Sequence, residues 1–170
     1  MNDMKILKPL AFAGVIAGTV LVTSLYFSGG KLIGSMVVAD WKEDRTVDLI
    51  KAHLESKQAR IPHEELREVA KTIYDASRSY GVDYRLVLAV MDTESNFRHD
   101  VVSQQGAIGI MQVKSIVARE FSREVGISYK KEVLQCPHAN VRFGVYYLSW
   151  LSRYFDTDSA VLFAYNVGFT

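Results

Sequence analysis

The sequence predicts an all-α fold, because apolar residues recur at helical spacing along most of the chain and strand-like alternation is scarce. Hydrophobic residues make up 49% and charged residues 23% of the chain, a balance typical of proteins that bury a core. A length of 170 residues suits one globular domain plus an extension. We therefore expect one helical domain preceded by an amino-terminal segment.

That amino-terminal segment contains an apolar stretch, residues 9–27, which has no charged residue and follows Lys5 and Lys8. Its length matches a helix that crosses the hydrocarbon core of a membrane. A cleaved export signal is normally shorter and ends at small residues, whereas the nearest candidate site, residues 37–39, lies well beyond the stretch. The pattern favours an uncleaved membrane anchor over residues 1–30, with a cleaved signal as the alternative.

Residues 31–61 are expected to form a solvated helical linker. The segment is highly charged from Trp41 onward, and its few apolar residues recur at helical spacing: Val47, Ile50 and Leu54. His53 and His63 lack the close partners that a metal site needs, so we expect both to be surface histidines.

Residues 62–170 are expected to form the helical domain. Pro62 is suited to the first position of a helix that runs to about Ser79, and Gly81 would end it. Asp83 can cap a second helix that is apolar on all sides and ends near Glu94, as expected for a helix at the domain centre. Further helices are predicted over residues 115–124, 139–154 and 159–165, while residues 106–112 are left open.

Charge and cysteine content exclude two classes of function. A formal net charge of +1 lacks the basic surplus of a nucleic-acid-binding protein. Cys136 is the only cysteine, which excludes an intrachain disulfide and a cysteine-based metal cluster. We expect Cys136 to be a small buried residue, since free cysteines usually are.

Glu94 is the first candidate catalytic residue, because it lies at the carboxyl end of the most apolar predicted helix. Partial burial disfavours an ionised carboxylate and raises its pKa, as a general acid requires. The alternative is an ordinary solvated helix end. Two further segments carry candidate ligand-binding groups, the glycine loop at residues 106–109 with Met111 and Gln112, and the pair Tyr165 and Asn166. Each of these alone is also explained by a turn or by packing.

Taken in order, the three segments resemble the lytic transglycosylases, the goose-lysozyme-like relatives of the soluble enzyme. The first motif comprises Glu94-Ser95-Asn96-Phe97, Ser103 and Gly106-Ala107-Ile108-Gly109-Ile110-Met111-Gln112, with the spacing of that family. The second comprises Asn140, Gly144, Tyr147 and Leu148, and the third Ala164-Tyr165-Asn166 with Gly168. Val101 and Ile110 replace the usual alanine and leucine. The family normally continues beyond its third motif, so the resemblance also implies a domain that is truncated at Thr170.

The resemblance implies a lysozyme-like helical fold and cleavage of the β-1,4 bond between N-acetylmuramic acid and N-acetylglucosamine in peptidoglycan, with 1,6-anhydromuramyl products. It makes Glu94 the catalytic residue, oriented by Tyr165, and it implies no metal or cofactor. Residues expected to bind the saccharide are Ser95, Ser103, Gly109, Met111, Gln112, Tyr165 and Asn166.

Ordinary glycoside hydrolases use two carboxylates, whereas here only Glu94 matches a catalytic position. Asp92 should point to a different face of its helix, and Asp100 lies in a segment that the pattern does not place. Two alternatives stay open, a hydrolytic muramidase and a membrane-tethered protein that binds peptidoglycan without cleaving it. With an anchor, the chain would be a single-pass inner-membrane protein whose domain lies in the periplasm beside glycan strands and other cell-envelope or secretion-apparatus partners.

Overall fold

A computed structural model describes residues 31–168 of the chain. The apolar stretch at residues 9–27 lies outside these residues, and within 31–168 no helix combines the length and the apolar character needed to span a membrane. The chain divides into two compact units, Met1–Lys42 and Glu43–Thr170. The helices in order are α1 (Lys31–Ser56), α2 (Leu66–Tyr80), α3 (Tyr84–Ser95), α4 (Ser115–Glu120), α5 (Ser122–Val125), α6 (Pro137–Leu151) and α7 (Asp158–Val167), with 3-10 turns at His63–Glu65 and Lys131–Gln135.

The described residues are mostly helical, as the sequence predicts, with one small exception between α3 and α4. Strands β1 (Ala107–Ile108) and β2 (Val113–Lys114) pair antiparallel there and form a short hairpin. The intervening turn contains Gly109 with a φ of 81° and Gln112 with a φ of 49°. The segment left open by the sequence is therefore a β-hairpin rather than a helix.

The segment expected to be a solvated linker is helical, but from Glu43 onward it belongs to the compact unit. Val47, Ile50 and Leu54 are buried in the hydrophobic core. These three residues form one buried face of α1, although the helix as a whole has only a weak amphipathic pattern. This part of α1 is therefore not the solvated linker that the sequence suggested.

The ends of α2 and α3 follow the capping signals in the sequence. Gly81 ends α2 in the left-handed conformation with a φ of 69°, which glycine adopts without strain. The carboxylate of Asp83 accepts a hydrogen bond from the Arg85 amide (2.9 Å) and caps α3. Pro62 differs from the prediction, because it precedes a 3-10 turn and α2 begins only at Leu66.

The central helix of the larger unit is α6, not α3. Ten of its residues are buried, and it packs against α2 and α7. In contrast, α3 exposes one side at Arg85 and Ala89, so the prediction of a fully enclosed α3 is wrong. Cys136, expected in the core, is exposed just before Pro137 begins α6. The predicted helix at 115–124 is divided in two at Phe121.

Candidate active site

Glu94 lies in the last turn of α3, at the edge of a cleft with a volume of about 390 Å³. The cleft is formed by the end of α3, the β-hairpin with the segment before it, and parts of α4, α6 and α7. The residues that line it are Glu94, Ser103, Gln105, Ala107, Gln112, Val113, Lys114, Ile116, Val117, Tyr147, Tyr165, Asn166 and Gly168. All three sequence motifs thus contribute to one cleft.

The Glu94 carboxyl is half-buried, and this burial raises its pKa above the ordinary value of 4.5. Two neighbours act in the opposite direction. The side-chain amide of Asn166 donates a weak hydrogen bond of 3.4 Å to Glu94 Oε1, and the positive charge of Lys114 also favours the ionised form. Burial dominates, so Glu94 retains a proton at higher pH than an exposed glutamate does.

Tyr165 is buried beside Glu94, and its hydroxyl donates a hydrogen bond of 2.7 Å to the carbonyl of Met111. Burial first, and then the nearby Glu94 and Tyr147, raise the pKa of Tyr165 well above 10. The phenol therefore stays protonated and acts as a donor. Because its single proton is used by Met111, the side-chain hydrogen bond to Glu94 in this structure comes from Asn166 and not from Tyr165.

Asn140 of α6 fixes the β-hairpin from behind. Its side-chain amide donates to the carbonyls of Ile108 (2.8 Å) and Leu134 (2.9 Å), and its side-chain oxygen accepts from the Met111 amide (2.8 Å). Gly109 approaches Asn140 so closely that a Cβ there would lie 2.4 Å from the Asn140 amide nitrogen. The first and second motifs are thereby locked together, because only glycine fits this contact and this positive φ.

Ser95 and Gly144 hold the same hairpin at two further points. The buried hydroxyl of Ser95 lies 2.7 Å from the carbonyl of Ile110, to which it can donate. A Cβ on Gly144 would lie 2.5 Å from the sulfur of Met111, so the absence of a side chain lets Met111 lie against α6. The hairpin is therefore anchored to both α3 and α6.

The sequence model of the family described as Transglycosylase SLT domain matches residues 71–170, which is more than half of the chain. The chain belongs to this family. At the level of the family, membership indicates a transglycosylase that binds peptidoglycan and cleaves its glycosidic bonds. The cleft at Glu94 lies within the matched residues and is formed entirely by them.

The predicted saccharide-binding residues of this SLT domain separate into two groups. Ser103, Gln112, Tyr165 and Asn166 line the cleft together with Glu94. Ser95, Gly109 and Met111 are buried and do not line the cleft. In this structure these three residues support the cleft wall, whereas the resemblance implied that they contact the saccharide.

No second carboxylate lies among the described residues that line the SLT cleft. Asp92 points away, as its spacing from Glu94 predicts, and pairs with Lys57 at 2.7 Å. Asp100 forms a long ion pair with Arg60 at 4.0 Å. Within residues 31–168 no three His, Cys, Asp or Glu side chains are grouped to hold a metal ion.

Sequence reasoning missed Gln105 and Lys114 as cleft residues, and it noted Tyr147 only as part of a motif. Lys114 directly follows Val113 on β2, and the alternation of a strand places Val113 in the core and leaves Lys114 half-buried. A strand assignment for residues 113–114 would have indicated this orientation. Tyr147 is largely buried, and burial raises its pKa to about 12.

Proposed function

We propose that this SLT domain cleaves the β-1,4 bond between N-acetylmuramic acid and N-acetylglucosamine without consuming water, and that it forms 1,6-anhydromuramyl ends. The observation that carries the proposal is Glu94, a half-buried carboxyl with a raised pKa and the only carboxylate among the described lining residues of the cleft. A protonated carboxyl can serve as the general acid. The proposal assigns the role of the base to the same group.

In the first step, protonated Glu94 donates its proton to the glycosidic oxygen while the bond from that oxygen to C1 of the muramyl residue breaks. N-acetylglucosamine leaves with the proton as its new 4-hydroxyl. The carbonyl oxygen of the muramyl acetamido group then bonds to C1 and stabilises the positive charge as an oxazolinium ion. The substrate supplies the nucleophile that a second carboxylate provides in ordinary retaining glycosidases.

In the second step, ionised Glu94 removes the proton of the muramyl C6 hydroxyl. The C6 oxygen attacks C1, the bond from C1 to the acetamido oxygen breaks, and the 1,6-anhydro ring closes. Glu94 is protonated again and the acetamido group is neutral. Each proton that Glu94 gives up in the first step is thus recovered in the second, and no other acid or base is required.

Asn166 and Tyr165 support this cycle from α7. Asn166 donates to the Glu94 carboxyl and therefore favours the ionised form needed in the second step. Tyr165 holds the Met111 carbonyl and closes the floor of the cleft beside Glu94. Ser103 and Gln112 also line the cleft as saccharide-binding candidates. The side-chain amide of Gln112 donates to the carbonyls of Val101 (3.2 Å) and Gly109 (2.9 Å), so its side-chain oxygen is the group that can accept from a sugar. The Ser103 hydroxyl accepts from the Ala107 amide and can donate its own proton to a sugar hydroxyl or acetamido group.

The proposed substrate also bears on where the protein works. Peptidoglycan lies outside the cytoplasmic membrane, so we place the SLT domain in the periplasm, held at the inner membrane if residues 9–27 form an anchor. The anchor proposal rests on the apolar character and length of that stretch alone. An anchored chain remains in the membrane pellet after alkaline extraction, whereas a soluble species that begins after residue 39 would indicate a cleaved signal.

Product analysis in labelled water tests the reaction. Purified peptidoglycan is digested with the protein in H₂¹⁸O, and the fragments are examined by mass spectrometry. The proposal predicts 1,6-anhydromuramyl ends without ¹⁸O. Reducing muramyl ends that carry one ¹⁸O would instead identify a hydrolytic muramidase, and binding without any cleavage would identify a non-catalytic peptidoglycan-binding protein.

A further inference from the structure

Lys114 is a positively charged side chain inside the Glu94 cleft. It extends from β2, is half-buried, and lies close enough to Glu94 for its charge to act on that carboxyl. At the other end of the cleft wall it reaches α7, because a Cβ on Gly168 would lie 2.6 Å from Lys114 Nζ. Gly168 therefore leaves room for the ammonium group at the carboxyl end of the helix that carries Asn166.

Within residues 31–168, Lys114 forms no ion pair and no side-chain hydrogen bond. Three lysines elsewhere in the unit form ion pairs with acidic side chains at 2.6 to 3.0 Å: Lys51, Lys57 and Lys71. A partly buried ammonium group without an ion-pair partner is unfavourable, and a bound anionic ligand would stabilise it.

The charges of the cleft leave this ammonium group uncompensated in the reactive state. Glu94 and Lys114 are the acidic and basic residues among the described lining side chains, and Tyr147 and Tyr165 remain neutral phenols because burial raises the pKa of each. When Glu94 is protonated for the first step, Lys114 gives the cleft a net positive charge. A glycan segment with a carboxylate near the scissile bond would neutralise it.

We propose that Lys114 is a substrate-binding residue that pairs with a carboxylate of the peptidoglycan strand. This inference rests on the proposed function, because it names the chemistry of the strand bound at the same cleft. Two sources supply such a group: the lactyl carboxylate of a muramyl residue that has lost its stem peptide, and the carboxylates of the stem peptide itself. Lys114 thus makes the cleft prefer strands that carry a carboxylate over neutral strands, and Glu94 alone does not provide this preference.

Binding measurements in a Glu94→Gln background test the pairing directly, because this background removes both turnover and any effect of Lys114 through Glu94. Four short strands are titrated: peptide-free strands, peptide-bearing strands, and each of these after conversion of its carboxylates to methylamides. Adding Lys114→Met should weaken binding of at least one charged strand about fivefold and of its neutral counterpart by less than about twofold. The strand that loses affinity identifies the source of the carboxylate.

Lys130→Met in the same background is the matched control, because Lys130 is exposed and does not line the cleft. It should leave all four dissociation constants unchanged. Equal losses on charged and neutral strands, or no loss on either charged strand, would overturn the proposal. If Lys114 is needed to bind charged strands but the protein with Glu94 intact yields no anhydromuramyl product, the proposed reaction is contradicted and the pairing by Lys114 is not.

Discussion

Two of the cavities in the larger unit share a volume of about 390 Å³ but differ in the chemistry of their lining residues. One is the Glu94 cleft. The other lies between α2 and α6 and is lined by Thr72, Asp75, Ala76, Ser79, Tyr80, His138 and Arg142. Its polar groups are engaged within the protein: Asp75 pairs with Lys71 (3.0 Å), Thr72 with His138 (2.7 Å), and Arg142 donates to the Val125 carbonyl (2.7 Å).

In the Glu94 cleft the charged groups are engaged much more weakly. Glu94 has one hydrogen bond of 3.4 Å, and Lys114 has no ion-pair partner among the described residues. Burial raises the pKa of Glu94 there. The two cavities therefore differ in the pairing of their charged groups and not in volume. Charged groups that are incompletely paired within the protein can gain favourable interactions from a ligand.

The largest expected difference between the cavities is catalytic. Glu94→Gln should reduce turnover of peptidoglycan at least about a thousandfold, because the amide retains the shape but cannot donate and recover a proton. Asp75→Asn in the other cavity should leave turnover within about twofold, since it removes only an exposed ion pair. Release of soluble fragments measures both, and circular dichroism confirms that the variants are folded. Comparable losses in the two variants would remove the distinction between the cavities.

The hydrogen bonds of Asn140 at the Glu94 cleft and of Thr72 at the other cavity should contribute differently to the free energy of unfolding. Asn140→Ala removes three buried hydrogen bonds, those to the Ile108 and Leu134 carbonyls and that from the Met111 amide, so it should lower the free energy of unfolding by about 3 kcal/mol. Thr72→Ala, in the wall of the other cavity, should lower the free energy of unfolding by about 1 kcal/mol, because Thr72 is only half-buried. Urea denaturation measures both. An Asn140 variant as stable as the Thr72 variant would show that the hairpin does not depend on this clamp.

Tyr165→Phe should have a smaller effect on turnover than Glu94→Gln. It removes a hydrogen bond to a neutral carbonyl, worth about 0.5 to 1.5 kcal/mol, and so should slow cleavage by about two- to tenfold. Steady-state kinetics on a defined muropeptide strand provide the measurement. A loss as large as that of Glu94→Gln would give the phenol a direct part in proton transfer.

Asn166→Ala should mainly change the pH profile. The first step needs protonated Glu94, so activity falls as the pH rises through the pKa of Glu94. Asn166 favours the ionised carboxylate and lowers that pKa, so its removal should move the falling limb of kcat/KM to higher pH. Lys130→Met serves as the control with an unchanged limb. A shift to lower pH would contradict the assigned role of Asn166.

The same contrast explains what could be read from the sequence. Caps and helix ends at Gly81 and Asp83 depend on neighbouring residues and are confirmed. The burial of Val47, Ile50 and Leu54 was missed because it depends on what α1 packs against, which a weak periodicity does not reveal. The relative burial of α3 and α6 was not predicted, because the enclosure of a helix depends on tertiary packing.

For the site, the motifs predicted which segments converge but not which side chains face the cleft. Ser95, Gly109 and Met111 are as much part of the motif as Gln112, yet they are buried and do not line the cleft. The direction of a side chain in residues 106–114 follows from the turn geometry and from strand pairing, which neither helical spacing nor motif spacing specifies. Lys114 was overlooked for the same reason.

Burial in the cleft raises the pKa of Glu94, as a general acid requires, and the titration of Glu94 tests this most directly. Carboxyl ¹³C chemical shifts of the folded protein are followed by NMR against pH, with Asp83 as an internal reference. The account predicts a Glu94 pKa above 4.5, because burial outweighs Asn166 and Lys114, and an Asp83 pKa below 3.8, because Arg85 pairs with it. A Glu94 pKa at or below 4.5 in a folded protein would contradict the account.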